Sequence, residues 1–227
     1  MIKLNILTAA VLGAVSYTAS AEIPAGYYDS CDGLTTSQLL SKLGSVVGKH
    51  TDVGYKGLWT LYETSDVTAD GRIWDMYSTK RWSIGERCGT YHELGDCYNR
   101  EHSFPKSWFN DASPMVSDAF HIYPTDGKVN GQRSNHPFGE CAGGTSLGTR
   151  NGVQALGRLG QSTYPGYSDI VFEPDDQYKG DFARSYFYMA AAYNDRISSW
   201  SSAMLNGSAY PAFSGWAKEM LLKWHRA

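Results

Sequence analysis

At 227 residues, 42% of them hydrophobic and 14% aromatic, the chain is long enough to bury a sizeable core and too apolar to be intrinsically disordered. Its 20 Lys and Arg against 23 Asp and Glu give a net charge of −3, which weighs against a dedicated basic nucleic-acid binder. An enzyme that touches phosphate briefly beside a divalent cation tolerates that balance.

The first residues carry an export pattern. Lys3 supplies the positive start, Ile6 to Val15 a short apolar run, and Ala19-Ser20-Ala21 a small-residue cleavage site before Glu22. The expected organisation is therefore a signal peptide over 1–21 and one mature domain over 22–227. The apolar run is too short to span a bilayer, and no later stretch is apolar enough either. This predicts a secreted or periplasmic protein that leaves the membrane once cleaved.

Further along, Thr35 or Thr36 is placed to cap a helix whose Leu39, Leu40 and Leu43 share one face. Leu58 to Tyr62 reads either as a strand or as helix. Ile73-Trp74-Asp75-Met76-Tyr77, bounded by Gly71 and Ser78, predicts a strand. Residues 85–144 are rich in Gly, Pro, Asn and Asp, which predicts loops and short elements, where sites tend to sit. Phe182, Tyr186, Met189, Ala190 and Tyr193 then recur at helical spacing, as do Phe213, Trp216, Ala217, Met220, Leu221 and Trp224. Both stripes are expected to be core. The whole reads as one α+β domain with helical N- and C-terminal parts.

Four cysteines follow the signal: Cys31, Cys88, Cys97 and Cys141. An exported chain favours two disulfides. Gly89, Gly95 and Asp96 let the chain turn between Cys88 and Cys97, and elimination leaves Cys31 with Cys141. A zinc site is the rival use, but no CxxC or HxxxH spacing supports it.

Two loop-rich segments concentrate chemistry. The first runs Asn99-Arg100-Glu101-His102-Ser103-Phe104-Pro105-Lys106-Ser107-Trp108. The second runs Phe120-His121-Ile122-Tyr123-Pro124-Thr125-Asp126-Gly127-Lys128-Val129-Asn130-Gly131-Gln132-Arg133-Ser134-Asn135. Burying such charges costs several kcal/mol each unless they are paired or bind metal. Phosphodiester hydrolysis needs a base that works near neutral pH, which histidine supplies, and a cation to offset charge on the phosphorus oxygens. Hard cations such as Mg²⁺ take oxygen ligands and keep several waters. In a strand Glu101 and His102 point to opposite faces, so they serve one site only at a bent end or an edge.

These segments closely resemble the bacterial endonuclease I family of exported nucleases, within the ββα-metal (His-Me finger) group. The resemblance runs from Ile23-Pro24-Ala25-Gly26-Tyr27-Tyr28 to Trp224-His225. It implies His102 as general base, Glu101 and Asn130 as ligands of Mg²⁺ (or Mn²⁺ or Ca²⁺), and His121 as a site-lining residue. It implies hydrolysis of DNA, and of RNA, leaving 5′-phosphate and 3′-hydroxyl ends, with no sequence reading and a monomeric enzyme. It assigns no secure position to the arginine that steadies phosphate in some members. Arg100, Lys106, Lys128 and Arg133 are the phosphate-contact candidates. The 16 Tyr and 7 Trp leave open an exported carbohydrate-binding or adhesive module, which would have no use for the charged cluster. Relatives continue past Trp-His into a polar tail, and the last apolar stripe runs nearly to Ala227. The expectation is a C-terminally truncated nuclease, impaired relative to an extended form.

Overall fold

The computed structural model describes residues 23–227; the predicted signal peptide lies outside them. Two helices open the fold, α1 (Thr36–Val47) and α2 (Gly54–Ser65). The ambiguous segment around Leu58 is therefore helical: Leu58 and Tyr62, one turn apart, are its two buried residues. Thr35 occupies the N-cap position of α1, but no side-chain hydrogen bond caps it.

The strand expected over residues 73–77 does not form. Ile73 makes isolated bridges with Val67 and Trp82. Beyond it the Asp75 carboxylate accepts from the backbone N–H groups of Tyr77 and Ser78, at 2.7 and 3.1 Å, donors that a ladder would need. The same carboxylate accepts from the Trp82 indole and from the Asp126 N–H. Burial pushes this carboxyl up to about 7.

The centre of the fold is a short ribbon followed by a helix: β1 (Tyr98–His102), β2 (Ile122–Asp126) and α3 (Gly127–Arg133). β1 and β2 are antiparallel, with Tyr98 opposite Asp126 and His102 opposite Ile122. Asp126 ends the ribbon and starts the helix, its side chain accepting from the N–H groups of Lys128 and Val129. A cap of this kind contributes about 1 kcal/mol. Asn130-Gly131, which could have marked a turn, lies inside α3. The approach there is close: a Cβ on Gly131 would stand 1.9 Å from the Tyr91 hydroxyl, so any larger residue would have to displace that ring.

Small strands follow: β3 (Thr145–Ser146), β4 (Thr149–Arg150), β5 (Val153–Gln154), β6 (Arg158–Gln161) and β7 (Ile170–Glu173). β3, β6 and β7 make one antiparallel sheet, and β4 and β5 a separate hairpin. The two expected helices close the chain as α4 (Asp176–Ala192) and α5 (Gly215–Arg226). Their stripes are core: Phe182, Tyr186, Met189, Met220 and Leu221 are fully buried. Each such side chain contributes about 1.5–3 kcal/mol by leaving water.

The result is a single α+β domain with helices at both ends. A large aromatic cluster, including Phe104, Phe138, Phe172 and Tyr186, lies on one side of the ribbon. A smaller one of Leu58, Tyr62, Ile73, Trp82, Tyr98 and Ile122 lies on the other. All seven Trp are buried or half-buried, so the Trp content is packing. No helix among the described residues is long and apolar enough to cross a membrane.

Cys88 and Cys97 are disulfide-bonded as expected, with Cα atoms 5.8 Å apart. The second expected bond is absent: Cys31 and Cys141 are free thiols. Elimination paired them, but their places in the fold differ. Cys31 sits in a 3-10 turn before α1, whereas Cys141 is buried against Gly144 and Gly160 at the β6 edge.

Candidate active site

The open edge of β1 shows how neighbours on opposite strand faces reach one cavity. β2 pairs along one edge of β1; on the other, residues 86–88 hydrogen-bond only to Tyr98. From Asn99 onward that second edge carries no backbone partner among the described residues. Arg100 and His102 turn toward α2, where Tyr55 meets both, while Asn99 and Glu101 turn toward α3. A pocket of about 450 Å³ straddles the edge and brings Asn99, Arg100, Glu101, His102, Lys106 and Asn130 together.

His102 is 6% exposed, and its ring stacks on Tyr55 with centroids 5.8 Å apart. Its Nε2 lies 3.1 Å from the Val116 carbonyl. A carbonyl only accepts, so Nε2 carries the proton and Nδ1 the lone pair. Burial, reinforced by His121 behind it, pushes His102 down to about 3, which keeps the ring neutral.

Glu101 is 2% exposed. Its Oε1 accepts from Arg133 at 2.6 Å and from the Tyr77 hydroxyl at 2.8 Å. Oε2 accepts no hydrogen bond among the described residues and is the oxygen left for the pocket. Burial pushes the carboxyl up to about 7, with Arg133 and Tyr77 pulling it back toward ionisation. On α3, Asn130 donates through Nδ2 to Asn99 Oδ1 at 2.7 Å, which turns its own Oδ1 away from Asn99. The site thus offers two hard oxygen donors and space for waters. No cluster of three or more His, Cys, Asp or Glu able to hold a metal occurs among the described residues. Such a donor set fits a hard divalent cation that keeps its waters and does not fit a closed zinc centre.

Three expected site residues stand elsewhere. His121 does not line the pocket: it is fully buried behind His102, 5.6 Å between ring centroids, with Nε2 against the Met115 carbonyl at 2.8 Å. The 3-10 turn Ala119–His121 points it into the core. Arg133 is neither solvated nor placed for phosphate. It is 1% exposed, because it ion-pairs with Glu101 beneath the pocket floor. Lys128 lies in the first turn of α3, outside the pocket lining.

Arg100 and Lys106 do reach the pocket. Arg100 donates to the Tyr55 carbonyl at 2.6 Å, and its guanidinium sits 3.5 Å from the Tyr55 ring centre and 4.3 Å from that of Trp59. Lys106 is half exposed and pairs with Asp111. Tyr55 and Tyr77 come from segments with no motif around them, and sequence reasoning missed both. Helical spacing could have flagged Arg133, since Asn130 and Arg133 stand three apart on α3 and share a face.

Residues 35–227 match the family described as Endonuclease I. An "Extracellular ribonuclease" of Bacillus subtilis (strain 168) is 32% identical over 171 residues, 74% of this chain and 53% of its own length. One of Bacillus amyloliquefaciens is 31% identical over the same length, with the same shares. An "Endonuclease-1" of Buchnera aphidicola subsp. Acyrthosiphon pisum (strain APS) is 32% identical over 80 residues, 35% of this chain and 28% of its own. The chain spans about half the length of the two ribonucleases. With this match covering most of the chain, and with the motif segments meeting in one pocket, the chain belongs to the endonuclease I family.

Proposed function

We propose that this protein is an exported, monomeric endonuclease that hydrolyses phosphodiester bonds in DNA and RNA without reading sequence. In this reading His102 is the general base, and Glu101 and Asn130 hold one Mg²⁺, or a similarly hard ion such as Mn²⁺ or Ca²⁺. The observation that carries the proposal is the convergence of a neutral, tautomer-fixed histidine with two free oxygen donors in one open pocket. The DNA half draws support from the relative named Endonuclease-1, and the RNA half from the two named extracellular ribonucleases. Those two names and the N-terminal export pattern support secretion.

His102 takes a proton from water at Nδ1, and the Val116 carbonyl, holding Nε2–H, steadies the imidazolium that results. An approaching phosphate raises the basicity of His102 toward the range this step needs. Arg100 and Lys106 line the pocket as phosphate contacts. The cation, when bound, offsets charge on the phosphoryl and leaving oxygens. Both side-chain cations meet phosphate and not base edges, which is the basis for sequence independence.

Incubating the protein with plasmid DNA and with RNA in Mg²⁺ tests this. Products of both should carry 5′-phosphate and 3′-hydroxyl ends, and mapped cut sites should show only weak context bias. Binding should fall steeply with salt, each phosphate contact adding about 0.9 to the log–log slope on duplex DNA. A short reproducible recognition sequence would refute the sequence-independent reading, and intact RNA would refute the RNA half.

A further inference from the structure

Arg133 is the largest charged side chain that the fold buries completely, and the hydrolytic steps leave it unused. Its guanidinium donates to three acceptors at the end of β1: Glu101 Oε1 at 2.6 Å, the His102 carbonyl at 2.9 Å and the Ser103 carbonyl at 2.8 Å. Phe138 covers one face at 4.5 Å, and Tyr186 donates to the same Ser103 carbonyl at 3.0 Å. Only Nε lacks a partner among the described residues. A buried ion pair is weak support for stability, because desolvation offsets its Coulombic attraction. Its geometry here performs a second task.

Arg133 and Tyr77 together occupy Glu101 Oε1, which fixes the carboxylate plane and leaves a single oxygen directed to the pocket. Arg133 also lies one helical turn after Asn130, so one short helix carries an amide donor and the clamp on the carboxylate donor. The fork locks the separation between β1 and α3 at the point where a cation would bridge them. We propose that Arg133, seconded by Tyr77, is the positioning residue of the metal centre, setting the orientation of Glu101 and its spacing to Asn130. This rests on the reading of Glu101 and Asn130 as metal ligands.

Lysine keeps the charge of Arg133 but has no planar fork to serve three acceptors at once. Phenylalanine at position 77 removes one donor to Oε1 and keeps the ring. The test is Mn²⁺ binding to the substrate-free protein, by calorimetry or by electron paramagnetic resonance, with thermal melting alongside. The variants are Tyr77→Phe, Arg133→Lys and Glu101→Gln. Partners of metal ligands are worth about 10–100-fold in affinity. Tyr77→Phe should therefore stay folded and bind Mn²⁺ about 10-fold more weakly, and Arg133→Lys should lose more. If Arg133→Lys does not fold, Tyr77→Phe alone decides the question. Folded Tyr77→Phe and Arg133→Lys proteins, less heat-stable but with wild-type Mn²⁺ affinity, would overturn the positioning role and leave Arg133 a structural pair. Unchanged affinity in Glu101→Gln would instead overturn the ligand assignment beneath it.

Discussion

His102→Ala is expected to lower the rate of phosphodiester cleavage by about 10²–10⁴ while the protein remains folded and binds nucleic acid. The ring abuts the pocket and contacts Tyr55, Phe109 and His121, so its loss opens space without stranding a charge. The Val116 carbonyl that loses its donor lies in a half-buried residue, where water can replace the imidazole. Single-turnover cleavage, with circular dichroism to verify the fold, measures the effect. Near-wild-type turnover in a folded His102→Ala protein would rule out this residue as the base. His121 could not take over without rearrangement, because it is sealed behind His102.

Glu101→Ala and Asn130→Ala are expected to act on the cation and not on the base. Each removes one of two protein oxygens, so the Mg²⁺ concentration for half-maximal activity should rise by at least the 10–100-fold seen when mere partners of ligands are lost. Glu101→Ala should also destabilise the fold, because it leaves Arg133 buried without its carboxylate. Asn130→Ala should not, since the half-buried amide gives up only its bond to Asn99. Mg²⁺ titrations of activity, run beside melting curves, separate the two effects. Unchanged Mg²⁺ dependence in both variants would remove these residues from the metal centre.

The long aromatic stripes of α4 and α5 were legible because the 3.6-residue period persists over several turns and the buried residues are large. Residues 73–77 were misread because an apolar run says nothing of Asp75 capturing the backbone N–H groups that follow it. β6 and β7 escaped notice because they are four residues each, and β6 carries Gly160 and no fully buried residue. The candidate site was legible where one stretch of chain supplies it: β1, β2 and α3 fold the two motif segments against each other. It was illegible where the tertiary fold supplies it. Tyr55 comes from α2 and Tyr77 from a loop 24 residues before Glu101. Arg133 reads as a phosphate contact because local sequence cannot show that its acceptors are the Glu101 carboxylate and the carbonyls of His102 and Ser103.

Supercoiled plasmid offered in Mg²⁺, then with excess chelator, then with Mg²⁺ restored, tests the central claim most directly. Nicking and degradation should stop on chelation and resume on restoration, and the His102→Ala protein should stay largely inactive throughout. Cleavage that continues undiminished under strong chelation would contradict a cation held by Glu101 and Asn130 beside a histidine base.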